Sequence, residues 1–185
     1  VMDGEHARLT LKGKPGAEAP ALSLLRRFSA PVNVQMEQSL QESLQLLAHD
    51  DDPYSRWNAG QRLARQGLLA RAKGQADATV ETALIEALRQ RLTAYDGAAG
   101  QDLAVLLALP GTAELEALQS PVDPPALYAA QRDWVAELGR RLSDPLHKLL
   151  SECCVDWSQA WPAGQGARSL TGLAWSWLAA AGDAE

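Results

Sequence analysis

Residues 51–65 read DDPYSRWNAGQRLAR, and the way this stretch begins decides how the rest of the chain is read. Asp52 is placed to accept a hydrogen bond from the first free N–H groups of a helix. Pro53 follows at the first helical position, where a missing N–H costs nothing. The helix so opened is predicted to run to about Lys73. Tyr54, Trp57, Ala64 and Leu68 fall on one stripe and Leu63 lies opposite it. Apolar residues on two sides mark a helix held between neighbours.

Outward from there, the 3.6-residue period continues almost to the end. Before it, from Glu37, Leu40, Leu44 and Leu47 share a face. After it, Val80, Leu84, Leu88, Leu92 and Tyr95 stay in phase, QDLAVLLAL stops at Pro110-Gly111, and TAELEAL is a short helix. Asp123-Pro124 repeats the start signal. Leu127, Trp134, Leu138, Leu142, Leu146, Leu149 and Cys153 keep to one arc across Pro145, which favours one kinked helix, with Asp144 as an alternative new cap. A last helix over about 167–180 turns Leu170, Leu173, Ala174, Trp177 and Leu178 to one wide face, with Trp175 at its edge. The helices differ too much in length for a repeat period, which argues against a strict tetratricopeptide or armadillo repeat.

The first 34 residues carry a period of two instead. Ala7, Leu9 and Leu11 alternate with Arg8, Thr10 and Lys12, and Asp3-Gly4 reads as a hairpin turn after a strand ending at Met2. ALSLLRRF (21–28) and PVNV (31–34) read as two more short strands. So few strands cannot close a sandwich without others. The expected fold is therefore mainly α: an antiparallel helical array, α-superhelix-like, preceded by a few short β-strands of a truncated β-sandwich. The domain division is 1–34 and 35–185.

Bulk composition narrows the function. The 185 residues are 46% hydrophobic and 22% charged, as in a soluble globular protein with a sizeable core. A net charge of −6 argues against a nucleic-acid partner, which needs clustered Lys and Arg. No apolar run is long enough to cross a bilayer and no secretory leader opens the chain, so no membrane partner is expected and the cytoplasm is the default. Adjacent Cys153 and Cys154 read as two thiols on a helix, since a vicinal disulfide is strained.

No catalytic, cofactor-binding or metal residue emerges. His6, His49 and His147 each lack the neighbouring His or Cys that a zinc site requires. Asp50-Asp51-Asp52 has neither the glycine turn nor the distal glutamate of a calcium loop, and a helix start explains it. KGKPGAEAP lacks the Lys-Ser/Thr of a phosphate loop, and no serine sits in a nucleophile elbow. Trp57 and Gln61, one turn apart, could frame a pocket; the simpler reading is packing with one satisfied amide.

Taken in order, PALSLLRRFSAPVNV, DDPYSRWNAGQRLAR, LPGTAELEAL, VDPPALYAAQRDW and ARSLTGLAWSWLA resemble the bacterial aminopeptidase N family, zinc metallopeptidases of the gluzincin group. The resemblance covers essentially the whole chain, departing at SLTGLA, where the family usually has Leu-Arg-Asn or Leu-Lys-Asn. It implies that residues 1–34 are the last strands of the family's small β-sandwich and that 35–185 are the first half of its carboxy-terminal helical domain. It also implies a parent enzyme that removes amino-terminal residues from peptides, with zinc held upstream by His-Glu-x-x-His and a later glutamate. None of those motifs can be placed here. The expected role is a non-catalytic segment, inactive alone, that encloses the active-site chamber and restricts substrate access. Its partners would be the remaining domains of the parent, with peptides bound only by the intact enzyme. The competing readings are an independent helical interaction scaffold and, less favoured, a free-standing hydrolase using paired carboxylates.

Overall fold

The computed structural model describes residues 20–29, 32, 34, 36–97, 100–153, 155, 158 and 162–183. Among these described residues eight α-helices follow in order: α1 (Leu40–His49), α2 (Pro53–Ala72), α3 (Ala78–Thr93), α4 (Gly100–Leu107), α5 (Thr112–Ala117), α6 (Pro124–Arg141), α7 (Ser143–Glu152) and α8 (Gln165–Ala181). Their starts are chemically marked. Ser39 and Glu42 form a reciprocal capping box at α1. Asp52, Asp77 and Asp123 each accept a backbone N–H at the heads of α2, α3 and α6, and Pro53 and Pro124 stand just inside two of them.

Helix α2 lies at the centre and packs on α1, α3, α4 and α6. Ala59, Leu63, Ala64 and Leu68 are all buried, on more than one side of the helix, as the two-sided pattern requires. A second group forms around α8, which packs on α4, α6 and α7. The largest fully buried side chains among the described residues are all leucine except Ile85, and Trp134 and Trp177 are buried beside them.

Two expectations are corrected. The predicted helix through Pro145 is two helices, broken at Leu142, whose φ of −111° and ψ of 13° are not helical. Proline lacks the N–H that would bond the carbonyl four residues back, and its ring crowds that carbonyl. The carbonyl is that of Arg141, and it accepts a hydrogen bond from the Arg89 guanidinium of α3 instead. Asp144 does not cap α7. The apolar phase nevertheless survives the break, because Leu138, Leu142 and Leu146 are all fully buried.

The second correction concerns the strands. Those ending at Met2 and spanning 7–11 lie outside the described residues, as does part of 31–34. Among the described residues there is no strand, and within 21–28 residues Arg26–Phe28 form a 3₁₀ turn. Leu25 and Arg27 have φ of 54° and 56°, left-handed values that a strand excludes. A strand exists through its ladder, and here the polar groups bond elsewhere: Leu22 O accepts from Gln38 Nε2 at 3.1 Å and Arg27 N donates to Asp52 Oδ1 at 2.8 Å.

Helices α6 and α8 approach so closely that one position admits no side chain. A Cβ on Gly139 would lie 2.0 Å from the Trp177 carbonyl oxygen and 2.8 Å from Ala181 Cβ. Gly139→Ala is expected to lower stability by at least about 1–3 kcal/mol, the cost of overpacking an interior. Gly67→Ala, inside α2 with no atom within 4 Å of the added Cβ, should raise it by about 0.5–1 kcal/mol through helix propensity. Urea unfolding of both variants checks the pair, and equal effects would contradict the contact.

Candidate functional site

The residues with the chemistry to act are scattered rather than gathered. His49 is exposed at the end of α1. His147 meets Asp183, its Nε2 3.2 Å from Oδ2, and Ser143 donates to the same oxygen at 2.7 Å. Ser, His and Asp are thus together, but in an order that does no nucleophilic chemistry. The serine gives its proton to the carboxylate and not to the imidazole, so no base activates its oxygen. The trio is a clamp: it holds the residue after Gly182, whose φ of 79° ends α8, against the start of α7. The Ser143 hydroxyl first, and His147 second, hold the Asp183 carboxyl below the ordinary aspartate value.

Among the described residues, no group of three or more His, Cys, Asp or Glu comes together in a way that could hold a metal ion. Cys153 is a free thiol, with its Sγ 3.8 Å from the Ala167 carbonyl, and His6 and Cys154 lie outside the described residues. Gln61 is buried and donates to the Ala108 carbonyl at 2.6 Å, so its amide is used in fastening α2 to the end of α4. Gln131 does the same one loop on: its Nε2 donates to Pro110 O at 2.8 Å while its Oε1 accepts from Thr112 Oγ1 at 2.9 Å.

The three aspartates turn out to be an anchor. Asp52 Oδ2 accepts from Ser55 N at 2.9 Å and Ser55 Oγ at 3.0 Å, and its Oδ1 takes the N–H of Arg27. Asp50 Oδ1 accepts from Arg26 Nη1 at 2.9 Å and from Asp52 N at 2.9 Å, and Asp51 bonds the other arm of Arg26. The run therefore caps α2 and ties residues 23–27 onto its head; sequence reading saw the cap and missed the tie. Arg26 was the signal, a basic side chain able to find this acidic run, while Arg27 contributes its backbone N–H.

Electrostatics follow from these contacts. The Arg26 guanidinium holds the Asp51 carboxyl below its ordinary value. Burial works to raise Asp52, but the N–H groups of Ser55 and Arg27, the Ser55 hydroxyl and the Arg26 charge outweigh it and hold it low. A carboxyl with a depressed folded-state pKa stabilises fully above the unfolded value, about 4, and loses that contribution as pH falls through the folded value. The unfolding midpoint is therefore expected to drop between about pH 5 and pH 3. Asp52→Ala should flatten that dependence, lower stability at neutral pH by about 1–2 kcal/mol, and speed tryptic cleavage after Arg26 and Arg27. Urea titrations across pH with timed digestion check this; an unchanged digestion rate would refute the tie.

Comparison with known proteins places these helices. A family model described as a domain of unknown function, DUF3458_C, ARM repeats, matches residues 40–185. Aminopeptidase N of Caulobacter vibrioides is 36% identical over 152 residues, covering 82% of this chain and 18% of that protein. The crystal structure of Legionella pneumophila aminopeptidase A in complex with aspartic acid superposes with a TM-score of 0.70 at 25% identity, over 85% of this chain and 19% of that one. The chain thus spans under a fifth of the length of either relative. The ARM description also corrects the reading that set armadillo repeats aside: with helices ranging from 6 residues in α5 to 20 in α2, the repeat leaves no fixed period in the sequence. The chain belongs to this ARM-repeat family and is a piece of the carboxy-terminal helical domain of the aminopeptidase N family.

Proposed function

We propose that this chain is a non-catalytic wall of a zinc-dependent aminopeptidase, enclosing the active-site chamber and restricting which peptides reach it. The observation that carries the reading is the 36% identity to an aminopeptidase N of which this chain spans only 18%. Residues 1–34 would close the domain preceding the helices, and 35–185 would be the first part of the helical domain. Zinc and the groups that activate water would belong to the remaining domains, which are the partners of this one. Removal of amino-terminal residues from peptides would be a property of the intact enzyme. The reading places that enzyme in the cytoplasm, a compartment suited to the free thiol of Cys153. No helix among the described residues is long and apolar enough to cross a membrane.

The outer face of α8 supports the same reading. Gly172, Trp175, Ser176, Ala179 and Ala180 are exposed at positions that form one stripe, and Arg168 is the only charged residue in the helix. Trp175 is 46% exposed. An uncharged stripe around a half-exposed tryptophan is a surface that packs better than it solvates, as the next layer of a helical array would require.

Two measurements test the proposal. The purified chain should show neither hydrolysis of an alanine or leucine chromogenic amide nor stoichiometric zinc; hydrolysis abolished by a chelator would overturn the assignment. In sedimentation, the isolated chain should self-associate with rising concentration, and Trp175→Glu should render it monomeric. A wild-type chain that stays monomeric throughout would mean the α8 face needs no cover.

A further inference from the structure

A cleft of about 300 Å³ opens between the head of α2, the tail of α3 and one side of α4. Arg56 and Arg91 both line it, with Pro53, Leu103 and Leu106 supplying apolar wall. Arg56 gives one N–H to the Asp50 carbonyl at 2.6 Å, which fixes its side chain. The Nε of Arg91 is buried and makes no hydrogen bond. Burial and, second, the like charge of Arg56 lower the Arg91 pKa, and no carboxylate offsets them. Asp96 and Asp102 line the same cleft, yet neither forms an ion pair with Arg91 among the described residues.

Charges drawn out of water are normally paired, because an unpaired one forfeits its hydration. Two guanidiniums line one cleft, one of them with an orphaned N–H, and among the described residues neither forms an ion pair with a carboxylate. We propose that the α2–α3–α4 cleft is a carboxylate-binding site in which Arg56 and Arg91 grip the anion. The planar fork of a guanidinium matches a carboxylate edge to edge. Asp96 and Asp102 select for charge: two nearby negative groups penalise a dianionic phosphate more than a singly charged carboxylate. The carboxylate has two possible sources, the free end of a peptide or an acidic side chain elsewhere in the longer protein. The proposal goes beyond the aminopeptidase reading and does not depend on it, since binding is read on this chain alone.

The test uses the 185-residue chain labelled with nitrogen-15, following the arginine Nε–Hε resonances during titration with sodium acetate. The Arg91 resonance should move saturably with acetate. Sodium chloride at matched ionic strength should not move it, and inorganic phosphate should bind more weakly than acetate. Arg56→Gln should weaken acetate binding about tenfold or more, the usual effect of losing a charge-assisted hydrogen bond. Arg91→Met should abolish the acetate-dependent rise in melting temperature while leaving the ligand-free melting temperature equal or higher, because it removes an unpaired charge. A structural arginine would behave oppositely, so a lower ligand-free melting temperature in Arg91→Met overturns the proposal. So does an unsaturable or chloride-like response, or tighter binding of phosphate. Acetyl-dialanine with a free carboxyl, compared with its amide, separates the sources. Tighter binding of the free acid than of acetate supports a peptide terminus, and no gain over acetate supports a side chain of the intact enzyme.

Discussion

A helix enclosed on several sides cannot cheaply leave buried polar groups unpaired, and α2 uses several of its own to fasten the segments around it. Gln61 holds the end of α4, Arg62 donates to the Met36 carbonyl at 3.0 Å, and Arg65 pairs with Glu114 of α5. Arg71 grips Glu81 with two hydrogen bonds of 3.0 and 2.8 Å and lies over the ring of Trp134, 5.1 Å from its centroid. That one side chain links α2, α3 and α6 through a bidentate ion pair and a cation–π contact. The enclosure of α2 therefore sets the positions of connections that would otherwise run free over the surface.

The second half of the array is organised by how near α8 can come to α6. A helix whose contact residue has no Cβ lets a neighbour's backbone touch it, and Gly139 meets the Trp177 carbonyl in this way. The turn from α6 into α7 then has to occur without shifting the leucine seam. Placing the break at Leu142 does this: Pro145 is accommodated, the released Arg141 carbonyl finds Arg89, and the buried face runs on. A proline in the middle of a helical pattern is thereby absorbed as a corner rather than a defect.

Charge is handled in two opposite ways on the two sides of the α2 head. On one side, Asp50, Asp51 and Asp52 meet Arg26, the Arg27 N–H and Ser55, and nearly every donor finds an acceptor. On the other, Arg56 and Arg91 share a cleft with no carboxylate bonded to Arg91. Arg56 gives one N–H to the Asp50 carbonyl, whereas the buried Nε of Arg91 makes no hydrogen bond.

Local chemistry was enough to read the helix heads at Asp52-Pro53 and Asp123-Pro124, the buried phases of α3 and α8 and the two-sided burial of α2. Ser39-x-x-Glu42 was equally legible as a capping box, and would have placed the start of α1 at Leu40 rather than Glu37. Each of these depends on residues within a turn or two of each other, where sequence spacing is spatial spacing. Tertiary structure alone decided the rest. Alternating residues can propose a strand, but only a neighbouring ladder makes one, and residues 21–28 bond to the head of α2 instead. The corner at Leu142, the contact at Gly139 and the meeting of Arg56 with Arg91 all join residues on different helices. Nothing in their spacing along the chain carries that information, because packing brings them together.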